Sequence, residues 1–517
     1  MRHLFLLLFP FLVSCSGSSV QTTVNIDQYD QWASGLNQRN YQSTPGSIYL
    51  FVNSDCQAFI DVFGTCFDNN ATAPYIIPQL PVGTTYLDPN YATLDKCAPC
   101  NGVNQFGQQT NISNRLSNTD ALVTVVKFPP KAAYFGYQSY VFTTLKSNYN
   151  TNIPKLRLPS PNETRWEIFG SIGNDVNNII VENQMGDPWH GSIVMYITTV
   201  NSTLANSIKQ DAISQGIPGN SIFVEAIGDN VKNGTDSSSD DLITLIRYAV
   251  PKDADQGQEW LQDVGKNIIV YRVSANDSTV TRYVKNEYTR RTGNIELQLQ
   301  EPLNELAGIL QLWFINQGQI NSSVDVMGRT TVDIDGIPRG LIGGDCIDKG
   351  TICAGDNADT STYAHSRKFQ LTTMPAFVAG INHNRLKNAS YISLSVYNID
   401  QGQGVASSSE TDMDAVGFNS GTLDDSAEAV LKELGLYEKA SNSLKLVLPK
   451  MYVSLVSRQC DIAEQYCIDL QGTSLIPLES NINVDERSYI NPGTTTGANS
   501  NTMVYPRVII ATDFPTK

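Results

Sequence analysis

Ile193-Val194-Met195-Tyr196-Ile197-Thr198-Thr199-Val200 is the stretch whose reading decides the fold. Its apolar and β-branched residues predict a strand. Asn201-Ser202-Thr203 follows and supplies a side-chain oxygen for a helix N-cap. Leu204, Ile208 and Ala212 recur at i, i+4 and i+8 and share one helical face, and Gly216 and Pro218 end that helix. A second strand is expected over Ser221 to Ile227, then an acidic, serine-rich loop from Asp229 to Asp241. Leu242 to Val250 reads as a third strand, stopped by Pro251, which has no N–H for a ladder. Glu259, Trp260, Leu261 and Val264 predict a short helix ending at Gly265, and Asn267 to Val273 a final strand. This βαββαβ order is that of a ferredoxin-like split βαβ unit.

The strands of the unit do not alternate apolar with polar. Ile193, Met195 and Ile197 lie on one side of the first strand, with Val194, Tyr196 and Val200 on the other. In the third, Leu242, Ile246, Tyr248 and Val250 oppose Ile243, Leu245 and Ala249. Both faces therefore require burial, and the unit is expected to be embedded between flanking segments.

Working outward, strands are expected at Ser47 to Val52, Ala121 to Phe128, Tyr134 to Phe142, Ala376 to Ile381, Lys450 to Val456 and Val504 to Ala511. Tyr391 to Tyr397 alternates Ile392, Leu394 and Val396 with Ser393, Ser395 and Tyr397, the pattern of a half-buried strand. Helices are expected from Glu301-Pro302 to about Phe314 and from Asp424 to Gly435. The fold class is α+β, with β-rich, sandwich-like segments flanking an embedded ferredoxin-like unit. The expected organisation is a signal peptide at 1–15, a flexible leader at 16–45 and a β-rich disulfide-containing domain at 46–190. The βαββαβ subdomain follows at 191–275, then a mixed, β-rich C-terminal domain at 276–517. No internal repeat of solenoid or propeller period is visible.

Compartment rests on the first residues. Arg2 and His3 precede an apolar run from Leu4 to Val13 and then small residues, the layout of a secretory signal. The run is too short to span a bilayer, and no later stretch reads as a transmembrane helix. Leu12-Val13-Ser14-Cys15 resembles a bacterial lipobox, which implies a lipid anchor at Cys15; ordinary signal cleavage just beyond is the other reading. The 517 residues carry a formal net charge of −16. Such a chain is repelled by nucleic acid, so no nucleic-acid partner is expected.

Apart from Cys15, the cysteines fall in local couples, Cys56 with Cys66, Cys97 with Cys100, Cys346 with Cys353 and Cys460 with Cys467, expected as loop-stapling disulfides. Cys97-Ala-Pro-Cys100 has redox-motif spacing, but Asn101-Gly102 continues as a turn rather than a helix, which favours a structural bridge. Sequons stand at Asn70, Asn111, Asn162, Asn201, Asn233, Asn276, Asn321 and Asn388, a number that a chain this rich in Asn, Ser and Thr reaches by chance.

Catalytic templates fail. No G-x-S-x-G elbow occurs, and Gly170-Ser171-Ile172-Gly173-Asn174-Asp175 reads as a glycine-rich hairpin turn. The histidines His190, His365 and His383 are far apart in sequence and form no zinc motif. His383 is the best catalytic candidate, held on a loop between two firm strands. No cofactor is expected. Calcium is the one candidate ion, at Asp333-Ile334-Asp335-Gly336, at Asp345 with Asp348, or at Glu410-Thr411-Asp412-Met413-Asp414; none reproduces an EF-hand loop. The expected function is a secreted or cell-surface binding or structural protein. The alternative is a secreted hydrolase, metal-assisted, in which His383, His365 and His190 converge with acidic residues.

Overall fold

The computed structural model describes residues 26–63, 65–66, 69, 74–81, 100–145, 166–173, 175–276, 279–285, 291–319, 321–328, 347–348, 357–371, 373–410, 423–471, 476–477 and 480–512. The expected signal peptide and Cys15 lie outside these residues.

The strands of the first half include β1 (Tyr41–Pro45), β2 (Tyr75–Pro81), β3 (Asp120–Lys127), β4 (Ala132–Thr144), β5 (Trp166–Ser171), β6 (Ile193–Thr199), β7 (Ile222–Ala226), β8 (Asp241–Pro251) and β9 (Ile268–Ala275). Its helices include α1 (Ile26–Gly35), α2 (Cys56–Phe63), α3 (Ser202–Ser214) and α4 (Ala254–Gln262). An outer sheet runs β1-β9-β3-β6-β7. An inner sheet is centred on β4 and β8, with β2 beyond β8 and β5 beyond β4.

The doubly apolar strands now have their reason. Ile193, Met195 and Ile197 face Tyr29 and Trp32 of α1 and Leu204, Ile208 and Ala212 of α3. Val194 and Tyr196 face the inner sheet, where Phe135, Tyr137, Leu242, Ile246 and Tyr248 complete the core. The layers are helix, sheet, sheet, each interface packed mainly with apolar side chains.

The ferredoxin-like unit does not form, although each of its elements does. β6 and β7 pair directly and parallel. β8 leaves for the inner sheet and pairs with β4, while β9 returns to the outer sheet beside β3. The sequence order is the same in both topologies; only long-range pairing separates them, and that has no local signature. β6, which opens the expected 191–275 subdomain, is hydrogen-bonded along its length to β3 of the expected 46–190 domain.

The flexible leader is also corrected from residue 26 onward. Tyr29, Trp32, Ala33 and Leu36 are buried at i, i+3, i+4 and i+7. The Trp32 indole donates to Asp211 Oδ2 (2.7 Å) and Arg39 pairs with the same carboxylate (2.9 Å). A face built on two aromatics, amid Gln, Asp and Asn, reads as polar when apolar residues are merely counted.

The second half has β10 (Ser323–Val326), β11 (Thr360–His365), β12 (Ala376–Ile381), β13 (Tyr391–Asn398), β14 (Gln403–Glu410), β15 (Met451–Ser457), β16 (Cys467–Asp469), β17 (Asn481–Tyr489) and β18 (Arg507–Ile510), with α5 (Gln300–Asn316) and α6 (Ser426–Glu433). Its outer sheet runs β10-β18-β12-β15-β16. Raising each label of the first outer sheet by nine reproduces this order. The parallel pair β6–β7 becomes the parallel pair β15–β16. The inner pairings β4–β8, β2–β8 and β4–β5 become β13–β17, β11–β17 and β13–β14, all antiparallel. The second half thus repeats the strand topology of the first, and helices again cover the outer sheet: Leu303, Leu306, Leu310 and Val430 pack on Phe377, Val453 and Ile509.

The inner sheets of the two halves meet across a seam where Tyr134 and Ala249 touch Tyr391 and Tyr489. This corrects the half-buried reading of β13: all its residues are buried, Ser393 and Ser395 included.

Asn201 performs its expected role, its side chain accepting from the N–H groups of Thr203 and Leu204. Its Nδ2 also donates to the carbonyls of Asn118 and Thr279. Asn201→Ala is expected to cost about 2 kcal/mol, the upper end for a lost cap, measured as a shift in urea midpoint at unchanged slope.

Candidate functional site

The three histidines do not converge. His190 is exposed on a turn with φ +64°, in the first half. His365 ends β11, where its Nδ1 lies 2.9 Å from Asp485 Oδ1 and its ring packs edge-on against Tyr363. His383 follows β12 and is fully buried. Asp485 and Glu486 are successive residues of β17 and point to opposite faces, so the two histidines bound to them lie on opposite sides of one sheet. Among the described residues no group of three or more His, Cys, Asp or Glu could hold a metal ion. No hydroxyl or thiol among the described residues hydrogen-bonds the free nitrogen of His365.

His383 instead plugs the end of the second sandwich. Its Nδ1 donates to Glu296 Oε1 (2.8 Å) and its Nε2 to Glu486 Oε1 (3.1 Å). Asn388 Nδ2 and the Val504 N–H complete Glu296 (2.7 and 3.0 Å). The Tyr452 and Thr362 hydroxyls complete Glu486 (2.7 and 3.0 Å). Burial opposes the charge on His383, but Glu296 and Glu486 outweigh it and raise its pKa to about 10. With its pKa raised this far, His383 is an imidazolium at neutral pH with both nitrogens committed, and so has no lone pair to offer there as base or ligand.

The first half holds a lone carboxylate in the corresponding sandwich core. Glu225 accepts from the Ser139 N–H (2.6 Å), the Ser139 hydroxyl (2.5 Å) and the Thr198 hydroxyl (2.7 Å). Burial without a cation partner pushes it up to about 7, against the lowering effect of those donors.

The seam carries a dense polar cluster. Arg247 of β8 stands opposite Tyr75 of β2, and Arg487 of β17 stands opposite Tyr363 of β11. Two residues further along, Ala249 pairs with Tyr134 and Tyr489 with Tyr391. The repeat therefore extends to side chains: an arginine, an opposite tyrosine and a diagonal tyrosine in each half. Arg247 lies over the rings of Tyr134 (5.5 Å) and Tyr489 (5.6 Å), and Arg487 over Tyr363 (4.3 Å). Tyr134 donates to Asp359 Oδ2 (2.8 Å) and Tyr140 to Asn357 Oδ1 (3.0 Å), joining the halves. Asp175, in the turn read from sequence as a plain glycine hairpin, lies 3.5 Å from Arg247 Nη2.

Cys56 and Cys66 are bridged, as are Cys460 and Cys467, and Cys100 is disulfide-bonded. Cys97, Cys346 and Cys353 lie outside the described residues. The first bridge staples a loop onto the seam: the Cys66 N–H donates to the Gln401 carbonyl and the Gly404 N–H to Asn69 Oδ1 (both 2.9 Å). Beside the second opens a cavity of about 650 Å³ lined by Gln459, Asp461, Glu464, Asp469 and Gln471. Of the calcium candidates, Asp348 pairs with Lys285 and accepts from Asn230, Glu410 ends β14, and the others lie outside the described residues.

The sequons divide. Asn111, Asn201 and Asn388 are buried, and Asn201 and Asn388 spend their Nδ2 groups on internal acceptors, so the fold has no room for a glycan there. Asn276 and Asn321 are exposed and Asn233 is half-buried. Asn70 and Asn162 lie outside the described residues.

No family model and no curated protein matches the chain. Two solved structures are similar in outline. One is an uncharacterized protein from Burkholderia cenocepacia, at TM-score 0.35 and 7% identity over 94% of this chain and 87% of that one. The other is the VPA0106 protein of Vibrio parahaemolyticus, at TM-score 0.33 and 10% identity over 88% and 96%. Likenesses this loose carry no argument about what the chain does.

Proposed function

We propose that the chain is a secreted or cell-surface protein of binding or structural type, built as a rigid pair of repeated sandwiches. One observation carries the reading. Among the described residues, the ionisable groups gathered around His383, Glu225 and Asp175 lie inside the fold, and the partly exposed His365 is paired with Asp485. A hydrolase needs such groups at a cleft, with a base free to take a proton. The disulfides favour an oxidising compartment. No described helix is long and apolar enough to cross a membrane.

The test is expression of the full chain in a secretory host, followed by mass analysis and thiol alkylation. The expected product lies in the medium or on the cell surface, begins near residue 16 and leaves Cys56, Cys66, Cys460 and Cys467 unalkylated until reduced. A cytosolic product with free thiols contradicts the proposal. So does hydrolysis of an ester or phosphate substrate that His365→Ala abolishes without unfolding the chain.

A further inference from the structure

Asp175 and Asp359 come from opposite halves and meet in the seam. Both are almost wholly buried, at 2% and 0% exposure. Neither Asp175 oxygen, nor Asp359 Oδ1, receives a hydrogen bond from any ordinary donor. Asp359 Oδ2 accepts from Tyr134 (2.8 Å), and Arg247, 3.5 Å from Asp175, lies over the Tyr134 ring (5.5 Å), so the two carboxyl groups sit in one cluster, where Asp359 acts on Asp175 both as a charge and as a hydrogen-bond partner. Two buried carboxylates in contact repel strongly, whereas a carboxyl facing a carboxylate makes a short, charge-assisted hydrogen bond. We propose that Asp175 and Asp359 share one proton across the seam, and that this proton holds the halves together, so that the seam loosens as pH rises.

The surrounding charges agree. Arg247 faces Asp175 from β8, Tyr134 and Tyr140 approach from β4, and Tyr489 approaches from β17. Glu225 acts on Asp175 from β7. Asn357 lies beside Asp359, its backbone carbonyl accepting from Arg291. Arg247 is the cation paired with Asp175. With the shared proton, Asp175, Asp359 and Arg247 sum to zero charge. Without it they carry one net negative charge in a dry seam, which is costly. Burial, and then the neighbouring Asp359, hold Asp175 well above the usual carboxylate range, with Arg247 opposing. An opened seam exposes both groups to water, where each ionises near its ordinary value. Opening therefore releases one proton to solvent, and it becomes easier at higher pH even while the closed form keeps its proton.

The experiment is hydrogen exchange on the full disulfide-bonded chain from pH 5 to 9, corrected for intrinsic exchange. Peptides of β4, β8 and β11 are expected to lose about tenfold in protection per pH unit, relative to β3 and β12, as one linked proton requires. Asp175→Asn retains a donor for Asp359 at every pH, and its seam is expected to show no such slope. A wild-type seam with no excess slope, or the same slope in Asp175→Asn, overturns the proposal. Should the variant fail to fold, the infrared spectrum of the unaltered chain at pH 8 decides. Glu225 is largely ionised there, so a protonated-carboxyl band supports the shared proton and its absence overturns it. Added calcium chloride that restores protection at pH 9 also overturns it, since the pair would then be a cation site.

Discussion

Replacing His383 with alanine is expected to destabilise the folded chain by about 3–5 kcal/mol, the cost of removing one member of a buried ion pair. The loss is not that of a packing atom. Glu296 and Glu486 are both fully buried and remain behind with no cation between them. Asn388, Val504, Tyr452 and Thr362 still donate to them, which softens the loss without supplying charge. His365→Ala is expected to cost far less, because the His365 side chain is partly exposed and its carboxylate has a second donor in Asn483. Urea denaturation of the two variants at pH 6 separates these outcomes; equal effects would deny that His383 is a structural cation. The sign of the pH dependence follows from its raised value. The folded pKa of about 10 exceeds the ordinary 6.5, so the stabilisation is complete below pH 6.5 and is lost as pH rises through 10.

Glu225→Gln is expected to act in the opposite direction at neutral and alkaline pH. A carboxyl raised from 4.5 to about 7 binds a proton more tightly folded than unfolded. Its contribution is therefore greatest below pH 4.5 and falls as pH rises through 7, by an amount on the order of 3 kcal/mol. Glutamine resembles the protonated form: its Oε1 can accept from the Ser139 N–H while its Nε2 donates to a neighbouring hydroxyl. The variant should match wild type near pH 4.5 and exceed it at pH 8, read as a higher urea midpoint. A variant weaker than wild type at pH 8 would mean that the ionised carboxylate is the form the core prefers.

Local structure was largely legible in the sequence. The Asn201 cap, the α5 and α6 helices and every strand of the 193–275 stretch follow from periodicity, capping and breakers. So did the need to cover both faces of β6 and β8, because their side chains are apolar on each. What stayed hidden was pairing. Nothing in Leu242 to Val250 says whether it joins β6 in one sheet or β4 in another, since both options bury the same residues. The repeat was hidden for a related reason: strand order, not residue identity, relates the halves, and the Arg247 and Arg487 positions emerge only once registers align. A loop position marks His383 as the catalytic candidate and gives no sign of its two buried carboxylate partners. Its partners Glu296 and Glu486 lie 87 and 103 residues away. Asp175 was overlooked because a short glycine turn gave no sign that a chain segment near residue 359 would cover it.

The most direct test of the claim that buried ionisable groups serve the fold is the urea midpoint of the unaltered chain from pH 5 to 10, in salt concentrated enough to screen surface charge. Glu225, Asp175 and His383 all have folded values raised above their ordinary ones. Each therefore withdraws stability as pH increases, and the midpoint is expected to fall continuously across the range. A midpoint that stays level, or rises between pH 6 and 9, would contradict the account.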